Sequence, residues 1–274
     1  MRKEIIQRQR EAMADAGLDV LVAMSPENFA YTAGFVVPSQ HLMRWRHAMA
    51  VVTGDEREVL LTVDMEESTV RSRTEGVEIR VWGEFTDRPM EVFARLLGDL
   101  GLAEAVVGIE MDYFPAGDFE ELRGLLPKAR FSAAQKIFNR LRQLKSPEEI
   151  DLLRRLSRIT DQAVGEALGA VREGMTEMDL AGALTREIYA RGAEQFRMMI
   201  VATGERSEYP NVGPTHRVLK RGDLCRVEIF GIIGGYHAAV CRTAVVGEAP
   251  AEAIDIWRVL IECKERVLGL IKPG

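Results

Sequence analysis

The sequence predicts two consecutive domains, an α/β domain with a mixed sheet and then an α+β domain. Strand-like and helix-like segments alternate through the first half of the chain, which is typical of α/β layers. After residue 133 the pattern changes to long amphipathic helices, and then to two strand patterns that meet at Gly234-Gly235. Consecutive glycines suit the positive φ of a tight hairpin turn, so we expect these strands to be antiparallel. We therefore assign residues 1–133 to the first domain and residues 134–274 to the second.

The first domain is expected to open with a helix over Lys3–Ala16, which Gly17 ends. A buried strand at Asp19–Met24 precedes Ser25 and Pro26, which supply an N-cap and a proline at the first helical position. The other expected elements are strands at 47–53, 58–63, 77–81 and 106–110, helices at 67–72, 90–100 and 118–126, and a short strand near Phe131.

The second domain is expected to begin with helices and to continue into the hairpin. Ser146 and Glu149 form a capping-box pattern around Pro147, which is a strong signal for the start of a long helix. Thr176 and Asp179 predict the start of the next helix in the same way. The expected elements are helices at 135–144, 147–171, 177–190 and 251–271, and strands at 198–203, 224–233 and 236–246.

Charge and cysteine content exclude several classes of protein. The net charge is −6 and no basic block occurs, so we do not expect nucleic acid as a partner. The 3 cysteines have no CxxC or CxxxC spacing, which argues against a disulfide framework or a thiolate zinc site and favours the reducing cytoplasm. The N-terminus carries charges where a signal peptide needs an apolar segment, and no apolar run reaches the ~18 residues of a membrane span. We therefore expect neither export by that route nor insertion in a membrane.

Polar side chains interrupt both strands of the predicted hairpin. Glu228 lies in the first strand, and His237, Cys241 and Arg242 lie in the second. Burying an unpaired neutral polar group costs about 2–7 kcal/mol, and a charge costs more. The pattern therefore favours a hairpin that lines a functional site, and the alternative is an edge hairpin whose polar face lies in water.

Two segments of the second domain carry a resemblance to a known family. They are LRQLKSPEEIDLLRRLSRITDQA (141–163) and MMIVATGERSEYPNVGPTHRVLKRGDLCRVEIFGIIGGYHAAVCRTAVVG (198–247). Together with the preceding α/β domain, they closely resemble the creatinase / aminopeptidase P / prolidase family. The resemblance implies a creatinase/prolidase-type N-terminal domain on a catalytic domain with the pita-bread fold. It also implies a homodimer in which each active site is reached by the partner's N-terminal domain.

The resemblance further implies that the pita-bread domain is incomplete at its C-terminal side. Family members continue well beyond the position of Gly274 and contribute further histidine and glutamate side chains to the site. We expect the sequence to be a fragment, a truncated relative, or one of two polypeptides that together complete the catalytic domain.

Most members of the family that this sequence resembles are dinuclear metallopeptidases. Aligned on the two ends of the hairpin, the first metal-binding aspartate of the family falls on Glu228 and the second on Ala239, and the upstream histidine falls on Asn211. Alanine has no donor atom, and a pair of cations needs several oxygen or nitrogen ligands in a defined shell. We therefore expect the ordinary metal site to be lost, with no metal ligands and no cofactor.

Creatinase is the branch of the family that hydrolyses a C–N bond without metals, and the sequence is similar to it in one further segment. In RWRHAMAVVT (44–53), Arg46 matches the arginine that reaches the carboxylate of the substrate in the partner subunit. A planar guanidinium suits that task. Two positions depart from creatinase: its active-site histidine falls on Asn211, and the glutamate that contacts the guanidinium-like substrate falls on Cys241.

The candidate catalytic residues are Glu228, His216, His237 and Cys241. Glu228 can orient water or bind a cationic nitrogen, His216 can act as a general acid or base, and His237 with Cys241 can form a nucleophilic pair. Each also has an ordinary structural interpretation, as a solvated strand carboxylate, exposed histidines and an inert cysteine. The candidate substrate-binding residues are Arg46, Tyr209, Asn211 and Arg242.

We expect a cytoplasmic, metal-independent hydrolase of the creatinase type, acting on a small guanidino, amidino or amino-acid-like compound that bears a carboxylate. One alternative is a metal-dependent Xaa-Pro peptidase that uses Glu228 in an altered metal shell, and divalent metal is expected only in that case. The other alternative is a catalytically silent pita-bread module that binds a small molecule or is completed by a second polypeptide.

Overall fold

The computed structural model describes residues 2–273. The chain divides into two compact units, Met1–Glu149 and Ile150–Gly274. The division falls after Glu149 and not after residue 133, because the helix at Gln135–Gln143 buries Phe138 and Leu141 among apolar residues of the first unit.

The first unit is built on a six-stranded mixed sheet with the order β4-β3-β2-β1-β5-β6. Neighbouring strands are antiparallel from β1 to β3, and the pairs β3–β4, β1–β5 and β5–β6 are parallel. The strands are β1 Val20–Ala23, β2 Met49–Thr53, β3 Glu58–Val63, β4 Glu78–Trp82, β5 Val106–Ile109 and β6 Arg130–Ala133. The α-helices are α1 Lys3–Ala16, α2 Pro26–Ala33, α3 Glu67–Arg73, α4 Pro89–Asp99, α5 Ala116–Leu125 and α6 Gln135–Gln143. The predicted mixed sheet is confirmed.

Both faces of this sheet are buried. Side chains alternate along a strand, and in β1 Val20 and Val22 join one apolar cluster while Leu21 and Ala23 join the other. At the end of β1, the Ser25 hydroxyl accepts a hydrogen bond of 3.2 Å from the Asn28 amide and so caps α2. The predicted helix start is therefore present.

The second unit is a three-stranded antiparallel sheet, β7-β8-β9, with helices on one face. Its strands are β7 Gln195–Thr203, β8 Leu224–Ile233 and β9 Tyr236–Val245. Its helices are α7 Pro147–Gly169, which starts just before the division, α8 Glu177–Ala190 and α9 Ala251–Leu270. Gly234 and Gly235 have φ of 56° and 80°, so the predicted tight turn between β8 and β9 is present.

Helices α7 and α8 pack on the sheet through residues such as Val164 and Leu184, which contact Val227, Ile229 and Val240. No residue of α9 is buried, and Trp257 and Leu260 in this helix are 59% and 61% exposed. No helix among residues 2–273 is long and apolar enough to cross a membrane.

Candidate functional site

The face of the β7-β8-β9 sheet that α7 and α8 leave uncovered carries most of the polar residues that the sequence singled out. We call it the open face and define it by Arg226 and Glu228 of β8 and Cys241 and Thr243 of β9. In the strand register Arg226 is paired with Thr243 and Glu228 with Cys241. Residues directly opposite each other in an antiparallel pair lie on the same face, so these four side chains form two adjacent rows.

The Glu228 carboxylate is half-buried on this face. Within residues 2–273 it takes part in no hydrogen bond or salt bridge. A carboxylate in this state keeps its acceptor sites available for a cationic nitrogen or for water.

The Cys241 thiol lies beside Glu228, and its surroundings reduce its reactivity. Partial burial of the thiol, within a residue that is otherwise exposed, is the largest cause that raises its pKa, and the Glu228 carboxylate raises it further, while Arg226 and Arg242 oppose this shift. At neutral pH the thiol is therefore protonated, and it is a poor nucleophile in that form.

The structure does not bring His237 and Cys241 together as a nucleophilic pair. They share a face of β9, as the alternation predicts, but four residues of an extended strand separate their Cα atoms by roughly 13–14 Å. His237 is instead paired in the register with Ile232. A direct hydrogen bond between the imidazole and the thiol is therefore not possible.

Arg242 points away from the open face. It is paired in the register with Val227, whose side chain contacts the helices, and its guanidinium forms an ion pair with Asp161 of α7. Arg242 was predicted to bind substrate, but its side chain lies on the side of β9 that faces the helices, so it does not contribute to the open face.

A loop between β7 and β8 carries the other candidates, and Tyr209, Asn211 and His216 are all exposed on it. Arg226 fastens this loop to the open face, because its Nη2 donates to the carbonyl oxygens of Tyr209 and of Pro210, the latter at 3.1 Å. Tyr209 and Asn211 therefore come from the segment that borders the open face.

Glu177, at the first position of α8, is fully buried and holds the same loop at two points, Thr203 where it leaves β7 and Thr215 farther along. Its Oε1 accepts from the amide and hydroxyl of Thr203, both at 2.9 Å, and its Oε2 accepts from the amide and hydroxyl of Thr215, at 2.9 and 2.6 Å. Burial alone would raise the pKa of Glu177, but these hydrogen bonds outweigh it and leave the pKa below its ordinary value. Glu177 is therefore a buried anion that fixes the loop beside the site.

Arg46, in the first unit, forms a two-pronged ion pair. Its Nε and Nη2 donate to the two carboxylate oxygens of Glu84, at 2.8 and 3.1 Å. Both side chains are mostly buried, with 14% and 10% exposure. The pair orients the guanidinium and occupies one of its edges.

Two residues of this site, Arg226 and Glu177, were not among the candidates that the sequence indicates. Arg226 precedes Glu228 by two positions, so strand alternation alone places both on one face. Glu177 gave no such signal, because an acidic residue in the first turn of a helix is expected for dipole reasons alone. Its role depends on threonines 26 and 38 residues away.

The residues described do not fit a pair of metal ions. Among residues 2–273 no three His, Cys, Asp or Glu side chains form a group that could hold a metal ion. On the open face Glu228 has the thiol of Cys241 beside it, and Ala239, opposite Phe230, offers no donor. One carboxylate and one protonated thiol do not provide the ligand shells of two hard or borderline cations.

Comparisons with known proteins agree with this architecture. The family described as Creatinase/Prolidase N-terminal domain matches residues 5–144, and Metallopeptidase family M24 matches residues 151–274. Creatinase from Bacillus sp. (strain B-0618) is 26% identical over 276 residues, which span 97% of this chain and 66% of that protein. Ectoine hydrolase from Halomonas elongata is 28% identical over 290 residues, which span 97% of this chain and 70% of that protein.

Solved structures show the same fold. The Xaa-Pro dipeptidase from Bacillus anthracis superposes with a TM-score of 0.81 at 23% identity, over 99% of this chain and 72% of that one. The chain thus spans about two thirds of the length of the curated relatives named above. It belongs to the creatinase / aminopeptidase P / prolidase family, with a creatinase-type N-terminal domain followed by a pita-bread domain.

Proposed function

We propose that this protein is a creatinase-like hydrolase that cleaves a C–N bond in a small guanidino or amidino compound bearing a carboxylate, without a metal ion. The observation that supports this proposal most directly is the Glu228 carboxylate, which lies on the open face and, within residues 2–273, has neither a protein partner nor a set of metal ligands around it. The names of two relatives, creatinase and ectoine hydrolase, agree with this substrate class. Creatine and ectoine both join a carboxylate to a cationic group rich in C–N bonds.

In the proposed reaction Glu228 binds the cationic nitrogen through charge-assisted hydrogen bonds and orients a water molecule. The water adds to the central carbon of the guanidinium or amidinium, and the C–N bond breaks. Glu228 takes the proton from the attacking water and passes it to the departing nitrogen. His216, on the loop beside the site, is a second candidate for that proton transfer because it is exposed.

We further propose that the enzyme works as a homodimer in the cytoplasm. The Arg46 guanidinium would bind the carboxylate of a substrate held by the neighbouring subunit. Glu84 occupies Nε and Nη2, so the hydrogens on Nη1 remain for that contact. The cytoplasmic location is supported by three cysteines that are all free.

Assays on metal-depleted protein test this function. The chain is dialysed against a chelator and incubated with creatine, ectoine or glycyl-proline. We expect hydrolysis of a guanidino or amidino acid without metal, and a loss of about 10²–10⁴-fold in rate for Glu228→Gln. Glu248→Gln, at a side chain that is 92% exposed, is the matched control. Cleavage of glycyl-proline alone, and only after Mn²⁺ or Co²⁺ is added, would establish the metal-dependent peptidase instead.

A second candidate function is a binding module completed by another polypeptide. It is supported by α9, in which no residue is buried, and by the additional length of the relatives. The occupant that we propose for α9 is a polypeptide that carries the remainder of a pita-bread domain. Mixing the chain with the corresponding C-terminal third of the Bacillus creatinase should give a 1:1 complex and a blue shift of Trp257 fluorescence. Leu260→Glu should abolish both effects, and the absence of a complex with the unmodified chain would reject this candidate.

A further inference from the structure

Two opposite charges lie next to each other on the open face, and neither neutralises the other. We propose that Arg226 and Glu228 form a binding site for a zwitterionic small molecule, with its carboxylate on Arg226 and its cationic nitrogen on Glu228. This inference rests on the proposed function and assigns the two charges of that substrate to two named residues of the open face. It adds Arg226 as a residue that determines specificity.

The backbone sets the spacing of the two charges. Arg226 and Glu228 are two residues apart on β8, so their Cα atoms are roughly 6.6–6.8 Å apart and their side chains leave the same face. Both act on the Cys241 thiol in the neighbouring row, whose pKa Glu228 raises and Arg226 lowers. The guanidinium and the carboxylate therefore flank one small area of the sheet.

The loop at Tyr209 and Pro210 explains why Arg226 and Glu228 do not pair. The two carbonyl oxygens accept hydrogen bonds from Nη2 of Arg226 and hold the guanidinium toward the loop. No salt bridge joins Arg226 to Glu228 among the residues that the structure describes. Both charges therefore remain available to a ligand that carries the opposite pair.

The Arg226 guanidinium also has a donor that lacks an acceptor. Its Nε is buried and has no hydrogen-bond partner within residues 2–273. Since Nε is covered from solvent, a ligand carboxylate would bind through Nη1, which takes part in no hydrogen bond among the residues described. Thr243, directly opposite Arg226, adds a hydroxyl that can donate to the same carboxylate.

This assignment is compatible with the proposed role of Arg46. A carboxylate has about four acceptor positions on its two oxygens, so it can bind Arg226 of one subunit and Arg46 of the other. Arg226 then selects the zwitterion within the chain that also carries Glu228. Compounds that lack the carboxylate lose this contact but keep the contact with Glu228.

Titration calorimetry tests the site without requiring turnover. The probes are creatine and ectoine as zwitterions, methylguanidinium as the cation alone and acetate as the anion alone. We expect Arg226→Gln to weaken zwitterion binding about 10-fold and to leave methylguanidinium binding unchanged. Glu228→Gln should weaken both. Arg221→Gln, at an exposed arginine that forms an ion pair with Glu248, is the matched control.

Two controls distinguish a loss of binding from a disturbed fold: the variant Arg226→Lys, and circular dichroism of each variant. The lysine keeps the charge but lacks the planar fork, so it should restore part of the zwitterion affinity while the fold stays intact. The inference is wrong if Arg226→Gln leaves zwitterion affinity unchanged or weakens methylguanidinium equally. It is also wrong if neither zwitterion binds the unmodified chain at millimolar concentration. Zwitterion binding with the expected Arg226 dependence but without hydrolysis would support the site and reject the proposed hydrolase.

Discussion

The buried carboxylate of Glu177 provides the sharpest test of how the loop beside the site is held. We predict that Glu177→Gln destabilises the second unit strongly, although the substitution changes the size of the side chain very little. The amide nitrogen of glutamine would replace one of the two oxygens. Because Oε1 and Oε2 each accept from one amide and one hydroxyl, one of the two threonines would then face a donor instead of an acceptor.

The magnitude follows from these contacts. Hydrogen bonds to a charged group contribute about 1.5–3 kcal/mol each, so the loss of two gives roughly 3–6 kcal/mol. Arg206, which donates to both oxygens, is 23% exposed and can regain water, which places the expected loss at the lower end, about 3 kcal/mol. For a unit of this size that corresponds to a decrease in Tm of roughly 10 °C.

The loss in unfolding free energy can be measured by urea and thermal unfolding, followed by circular dichroism. The matched control is Glu173→Gln, at an exposed residue one turn before α8. Amide exchange should also accelerate at Thr203 and Thr215. The pKa of Glu177 lies below its ordinary value in the folded chain, so its contribution should be complete above the unfolded pKa and decline as the pH falls through the folded value. Equal stability of the Glu177→Gln and Glu173→Gln variants would show that the buried carboxylate does not hold the loop.

Three further predictions concern separate parts of the chain. Gly231→Ala should cost about 1–3 kcal/mol in unfolding free energy, because its Cβ would lie 2.4 Å from a hydroxyl of α7. Burial lowers the pKa of His47 despite its contact with the Asp118 carboxylate. The stability of the first unit should therefore decrease as the pH falls below about 6.5, the ordinary pKa of histidine. His47→Gln should remove that part of the pH dependence. Iodoacetamide should label the exposed Cys263 faster than Cys241 at neutral pH, and Glu228→Gln should accelerate labelling of Cys241.

Local signals in the sequence predicted the elements that local forces determine. The capping box is present, since the Ser146 amide donates to Glu149 at 2.7 Å and the Glu149 amide donates to Ser146 at 3.2 Å. Strand alternation also placed His237, Ala239 and Cys241 on one side of β9, as the register has them. Each of these features depends on residues within a few positions of one another, so a single sequence carries the information.

Long-range partners were not predictable in the same way. The amphipathic pattern of α6 predicts a buried stripe but not which apolar cluster buries it, and so the domain boundary was placed before this helix instead of after it. The ion pair of Arg46 with Glu84 joins positions 38 residues apart, and no local pattern indicates it. The register of β7 is irregular between Arg197 and Ile200, and Met198 there has a φ of 49°. The sequence does not indicate this irregularity, because methionine has no preference for a positive φ.

The polar residues of the hairpin are more exposed than the sequence pattern indicates. From the sequence, Glu228 and its neighbours were expected to be buried and therefore to need partners that offset the cost of desolvation. In the structure Glu228 is half-buried, and His237 and Cys241 are exposed, so that cost is largely avoided. The functional interpretation depends instead on two charges held apart by backbone spacing and by the carbonyl groups that bind Arg226.

This difference also sets the strength that the proposed site can reach. Two unit charges 4 Å apart attract by about 1 kcal/mol in water and by about 4 kcal/mol near a protein surface, so a ligand on the open face gains only a few kcal/mol from Arg226 and Glu228 together. Any element that covers this face, whether from a neighbouring subunit or from further polypeptide, would lower the local dielectric and strengthen both contacts. The two charges therefore supply selectivity for a zwitterion, and the covering element would supply affinity.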